Sequence, residues 1–420
     1  MKILLISLGT RGDIEPFLAQ AELLTQSGHE ILCLFPEQFK ETVEKLGYGF
    51  LGFDKRFLEL LESQSGKKVM GGGGGLSQLK GYFNLVKDSF KIQGIIQAQQ
   101  RQAIQTFDPD KVLFHSKALY CYLGALVDPT RYFLLTPIPC ITHPTFQFSH
   151  IGLAKWKLSE KWNFKSFGLV NRARHMVLKK YWKKYYMDFK DSGKEFKDLA
   201  NFEKTELETL YTISPSLFPK PKNWPNSAHL VGFYQRNQQK DFQPAPELTE
   251  WLANHPKAIL VTFGSMSNPK PKEHSQMIID ALVANQIPAI INLSWGGLSK
   301  IENSPESIFY VEQIPYDWIL PQLYGMIHHG GSGTTHYAAL SGCVQFIIPH
   351  IIDQYFWNRL INERGLGPLG TSIHQMKKEK FESDLKDFYT NSDYKVKASQ
   401  IALQMKSETD PIQLTKLITQ

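Results

Sequence analysis

The sequence predicts an α/β protein made of two successive parallel-sheet units, on three observations. Short apolar runs alternate with segments of helical period from the first residues onward. The alternation halts at a polar, proline-bearing stretch and then starts again. A length of 420 residues suits two domains better than one core.

The elements follow in order. Ile3 to Leu8 is an apolar run ending at Gly9, read as a buried parallel strand. Ile14 to Gln26 places Ile14, Phe17, Leu18, Ala21 and Leu24 on one helical face, and Gly28 ends that helix. Strands at Ile31–Phe35 and Tyr48–Phe53 flank a short helix over Phe39–Leu46. Gly71 to Gly75 reads as a loop, since five glycines lose too much backbone entropy in a regular element. Lys111–His115 is a further strand, and 151–199 is a long basic and aromatic helical region. Leu210–Ser214 and His229–Val231 return to the sheet. Gln235 to Pro246 is the linker. Strands then recur at Ala258–Phe263, Ala289–Leu293, Ile308–Val311, Tyr324–His328 and Val344–Pro349, with helices near His274–Asn285 and Thr334–Ser341. An amphipathic helix begins near Tyr394. The expected limits are 1–238, 239–395, and a terminal helix over 396–420 that packs back on the first domain.

Composition removes several classes. No apolar run approaches the eighteen or so residues that span a bilayer. The opening apolar stretch meets Arg11 and Asp13 at once, unlike a secretory leader. Cys33, Cys121, Cys140 and Cys343 are scattered, which suits a reducing cytoplasm and neither a disulfide frame nor a metal site. The net charge of +7 is concentrated: from Lys155 to Lys204 fourteen Lys and Arg stand against six Asp and Glu. The rest is near neutral, and no nucleic-acid motif is present. That segment interleaves Trp156, Trp162, Phe164, Phe167, Trp182, Tyr185 and Tyr186 with its cations. It reads either as a solvated helical face or as a surface lying on anionic lipid, at the inner face of a membrane.

The chemistry gathers at the ends of strands. His328-His329-Gly330-Gly331-Ser332-Gly333-Thr334-Thr335 follows an apolar strand and opens a helix. Glycines there allow backbone N–H groups to approach an anion, and the helix start supplies unsatisfied donors and partial positive charge. Ser332, Thr334 and Thr335 add hydroxyls, and His329 can donate to a phosphate oxygen. Past the next strand comes Asp353-Gln354, an acid and an amide suited to sugar hydroxyls. Asp13 stands in the loop after the first strand, as a base or as a helix cap.

Together these residues resemble the donor box of family 1 glycosyltransferases, and most of all its bacterial and sterol-glucosyltransferase branch. The likeness extends through Val311-Glu312-Gln313-Ile314-Pro315, Val261-Thr262-Phe263-Gly264-Ser265, Ser294-Trp295-Gly296-Gly297 and Ser214-Pro215. It includes the opening loop Gly9-Thr10-Arg11-Gly12-Asp13. The resemblance implies the GT-B fold, two Rossmann-like domains facing across a cleft. It implies that His329, Gly331, Ser332, Gly333, Thr334 and Thr335, with Ser265, hold the donor diphosphate. Gln313 and Ile314 would line the base pocket, and Asp353 and Gln354 would hold the hexose. Asp13 would be the catalytic base, with Thr10 and His143 on the acceptor side. Plant relatives carry a Glu for the ribose where Tyr337 stands here. The function implied is inverting transfer of a hexose, glucose from UDP-glucose foremost, to a hydroxyl of an apolar acceptor such as a sterol, lipid, carotenoid or polyketide. No metal or cofactor is called for. The alternatives are a sugar-nucleotide epimerase and a non-catalytic sugar-nucleotide or lipid-binding protein.

Overall fold

A computed structural model describes residues 1–56, 59, 92–236, 242–293, 297–408 and 410–419. The glycine run Gly71–Gly75, residues 237–241 of the linker and Ser294–Gly296 lie outside these residues. Among the described residues the chain forms two all-parallel sheets. The first has seven strands: β1 (Lys2–Ile6), β2 (Glu30–Pro36), β3 (Gly49–Phe53), β4 (Lys111–Phe114), β5 (Tyr132–Thr136), β6 (Thr209–Tyr211) and β7 (Ala228–Leu230). Their spatial order is β3-β2-β1-β4-β5-β6-β7. The second has β8 (Ile259–Thr262), β9 (Ala289–Asn292), β10 (Ile308–Val311), β11 (Gly325–His328) and β12 (Val344–Ile347), in the order β10-β9-β8-β11-β12.

Continuous apolar runs give these strands because helices cover both faces of each sheet. Ile3, Leu4, Leu5 and Ile6 are all fully buried, and so are Ile259, Leu260 and Val261. The strand Tyr132–Thr136 was not expected. It follows the equally apolar helix Leu119–Val127 closely, and periodicity does not separate two short apolar runs. The first helix begins at Arg11, earlier than the apolar period alone implies. Thr10 is its cap residue, and Asp13, three residues on, accepts the Thr10 N–H at 2.9 Å.

Both sheets reverse direction of growth at one place, between β1 and β4 in the first and between β8 and β11 in the second. In open α/β sheets ligands bind outside the carboxyl ends of strands at such a switch point. The segments leaving β1, β4, β8 and β11 carry Asp13, His115, Ser265 and His329.

The two sheets share a core. Cys140, Phe148, Tyr211 and Trp224 of the first half pack with Ala339, Phe356, Trp357 and Met405 of the second. Polar contacts fix the same boundary. The Arg359 guanidinium donates to Ala154 O at 2.7 Å, and Arg364 Nε donates to Leu217 O at 2.9 Å. Ser214 Oγ and Ser216 N donate to the Glu408 carboxylate, each at 2.7 Å. The last helix, Pro411–Thr419, places Leu414 and Ile418 against Leu5, Ile14 and Phe17 beneath the first sheet.

Candidate active site

The opening loop is built around Asp13. Its Oδ2 accepts the Thr10 N–H, and its Oδ1 lies 3.0 Å from Lys117 Nζ and 3.3 Å from His115 Nε2. Gly9 adopts φ +140°, and a β-carbon there would collide with the Asp13 carboxylate. Burial alone would raise the Asp13 pKa. Lys117 and His115 outweigh it and hold the group well below the ordinary carboxylate range. His115 itself is buried, which lowers its pKa against the pull of Asp13.

The second half brings Asp353 to the same place. It immediately precedes the helix Gln354–Glu363, without a side-chain cap bond, and follows Ile352, whose φ of +38° is unusual for a β-branched residue. The Asp353 carboxyl is pushed up to about 7, by burial first and by the Asp13 charge as well. The charge of an acid in the first half is therefore felt by an acid in the second.

His329 stands at the end of β11 with little exposure, and burial lowers its pKa to about 3. It is a neutral imidazole, able to donate one N–H. A β-carbon at Gly331 would sit 2.5 Å from His329 Nε2, so glycine is what lets the ring lie over the helix start. The helix Ser332–Leu340 follows, with Gly331 as its cap. Gly333 and Thr334 are partly open to solvent, and Ser265 is exposed on the neighbouring loop.

The remaining candidates have partners of their own. Ser332 Oγ donates to Pro137 O of the first half at 2.6 Å, and Thr335 Oγ1 donates back to Gly331 O at 3.0 Å. Gln354 Oε1 accepts the N–H groups of His350 and Ile351, at 2.7 and 3.0 Å, and so braces the loop that presents Asp353. Gln313 is exposed and Ile314 buried just past β10. Tyr337 is buried with its ring against Phe233 and Tyr316. His143 is buried among Tyr211 and Trp224, its Nδ1 2.8 Å from the Tyr211 hydroxyl, and burial lowers it to about 4. It lies away from the Asp13 cluster's immediate contacts. His115 and Lys117 were not singled out in the sequence. The signal for them is positional: β4 lies next to β1, so residues just beyond β4 meet the loop just beyond β1.

Two facing Rossmann-like domains with these switch points form the GT-B fold. Solved glycosyltransferases share it: the calicheamicin glycosyltransferase CalG4 superposes with a TM-score of 0.70 at 16% identity, covering 99% of this chain and 97% of that one. SnogD from Streptomyces nogalater gives a TM-score of 0.65 at 17% identity, covering 100% and 98%. Residues 3–111 match the glycosyltransferase family 28 N-terminal domain, and residues 276–420 the erythromycin biosynthesis protein CIII-like C-terminal domain. In sequence the chain is similar to a sterol 3-beta-glucosyltransferase of Arabidopsis thaliana, 29% identical over 97% of this chain and 66% of that protein. A sterol 3-beta-glucosyltransferase of Komagataella phaffii is 24% identical over 97% of this chain and 33% of its own length. The chain thus spans under two thirds of the length of these relatives, and the likeness to the sterol-glucosyltransferase branch read from its motifs extends along nearly all of it.

Proposed function

We propose that this protein is an inverting glycosyltransferase that moves a hexose, glucose from UDP-glucose foremost, onto a hydroxyl of an apolar acceptor of the sterol, lipid, carotenoid or polyketide kind. The observation that carries the reading is that Asp353 lies within electrostatic reach of Asp13 while its neighbour Gln354 packs on the Gly330 turn that opens the helix Ser332–Leu340. Asp13 takes the proton of the acceptor hydroxyl as that oxygen bonds to the anomeric carbon. The bond from that carbon to the diphosphate breaks on the opposite face, which inverts the configuration. The leaving diphosphate gathers charge, met by the His329 N–H, the backbone donors of the helix start and Ser265. Asp353 orients the hexose; near pH 7 it is part protonated and both donates and accepts. Gln313 and Ile314 line the base pocket. The leaving group's charge is met by fixed donors, so the reading calls for no metal. An epimerase would leave the acceptor side unused, and a mere binder would not need Asp13. The test is a screen of UDP- and dTDP-sugars for slow hydrolysis, then for transfer to a panel of apolar alcohols. Binding of the nucleotide with neither hydrolysis nor transfer would favour the binder.

The same reading includes peripheral contact with anionic membrane. The helix Glu160–Lys184 turns Phe167, Leu178, Tyr181 and Trp182 inward. Its outer stripe alternates Trp162, Leu169 and Met176, which are 63%, 65% and 72% exposed, with the exposed Lys165, Arg172 and Lys179. Each cation near an anionic surface contributes about 1 kcal/mol. No described helix is long and apolar enough to cross a membrane.

A further inference from the structure

The carboxylate proposed as the base carries one more partner than the reaction uses. Asp13 Oδ1 already meets two donors, Lys117 Nζ at 3.0 Å and His115 Nε2 at 3.3 Å. An acceptor hydroxyl has to reach a lone pair of this carboxylate. Oδ2 accepts the Thr10 N–H and sits against Gly9, where a β-carbon would collide with it, so the hydroxyl is directed to Oδ1, whose two lone pairs are both met. One donor on Oδ1 must therefore yield.

The two donors differ in their freedom. The His115 side chain is 2% exposed and its ring lies edge-on to Phe17. Its Nδ1 accepts the Lys117 backbone N–H at 3.3 Å, which places the ring proton on Nε2, facing Asp13. It is fixed at both ends. The Lys117 side chain is 51% exposed on a flexible stem, and its second contact, to Leu8 O, is 3.2 Å. An ammonium with water beside it can leave the carboxylate and be solvated where it goes, which the enclosed imidazole cannot.

We infer that Lys117 is a displaceable counter-ion of Asp13, holding it ionised until the acceptor hydroxyl takes its place, while His115 remains as the fixed positioning residue. The inference rests on the transferase reading. The titratable groups bearing on Asp13 are Lys117 and His115 from beyond β4 and Asp353 from beyond β12. Once Lys117 withdraws, burial and the Asp353 carboxyl both favour a proton on Asp13. Basicity thus rises when the acceptor is in position. In the step itself the acceptor O–H breaks, its proton goes to Asp13 Oδ1, the oxygen bonds to the anomeric carbon, and the diphosphate leaves with its electron pair.

The experiment is the pH dependence of kcat/KM for transfer, measured for wild type, Lys117→Met and His115→Asn. Each is repeated with Asp353→Asn, which removes the other carboxyl facing Asp13. Lys117→Met should move the acid limb to higher pH by one unit or more, keep the activity above that limb within about threefold, and leave the donor KM unchanged. His115→Asn should lower kcat at every pH and move the limb less than Lys117→Met does. An unmoved limb in Lys117→Met, or an equal loss at all pH, would overturn the proposal alone. Wild type that turns over no sugar nucleotide at any pH would overturn the transferase reading and this proposal with it.

Discussion

Replacing Asp13 by Asn separates base from scaffold, and the structure sets the size of both effects. If the Asn oxygen takes over the Thr10 N–H, its amide nitrogen turns toward Lys117 and the His115 N–H. Two donors would then face a third. The carboxylate is only 17% exposed, so its charge-assisted bonds are worth about 1.5–3 kcal/mol before discounting. The Lys117 share is small because that side chain is half in water. The expected loss is therefore about 1–2 kcal/mol, a fall of a few degrees in Tm for a chain of this size. Transfer should fall about a hundredfold to ten-thousandfold, the usual contribution of a positioned base. Donor affinity should hold, because His329 and the helix start lie in the other sheet. The assay is acceptor-dependent UDP release beside a thermal melt. Transfer within threefold of wild type would refute the argument and leave Asp13 a scaffold only.

The pH dependence of stability should carry opposite signs from the two acids. Asp13, held low, stabilises above the ordinary carboxylate range and loses this as pH falls through its folded value. Asp353, raised to about 7, costs stability as pH climbs from about 4 through 7, so Asp353→Asn should raise Tm at pH 8 and change it little at pH 4; an equal shift at both values would contradict the assignment. His329→Ala should weaken UDP binding about tenfold or more with Tm nearly unchanged, read by calorimetry. Leu169→Glu with Met176→Glu should abolish co-sedimentation with anionic liposomes and leave hydrolysis of soluble donor intact; binding that survives, or that ignores salt, would remove the membrane reading.

Much of the fold was legible because parallel strands buried on both faces leave unbroken apolar runs, and Ile3–Leu8 and Ala258–Phe263 are of that kind. Tyr132–Thr136 was not, since it trails a helix of the same hydrophobicity and length scale. The strand–glycine–helix turn after β11 was legible because its parts are local: His329, the glycines and the helix start are neighbours in sequence. What pairs with Asp13 was hidden by distance along the chain. His115 and Lys117 join it only through the order β1-β4, about a hundred residues away. Likewise Ser332 spends its hydroxyl on Pro137, and Gln354 spends its carbonyl on its own loop. Residue type does not reveal such engagements. Asp13 as cap was half right in kind: it does satisfy a free N–H of the helix start, but from the third helical position, with Thr10 at the cap.

The most direct test of the central claim is the product of a single reaction. Purified protein, UDP-α-glucose and an apolar alcohol such as a sterol should release UDP and form a glucoside, whose anomeric configuration is read from the proton coupling at the sugar's first carbon. The account predicts a β-glucoside from wild type and almost none from Asp13→Asn. An α-glucoside would contradict the single displacement led by Asp13, and equal product from both proteins would remove Asp13 from the chemistry.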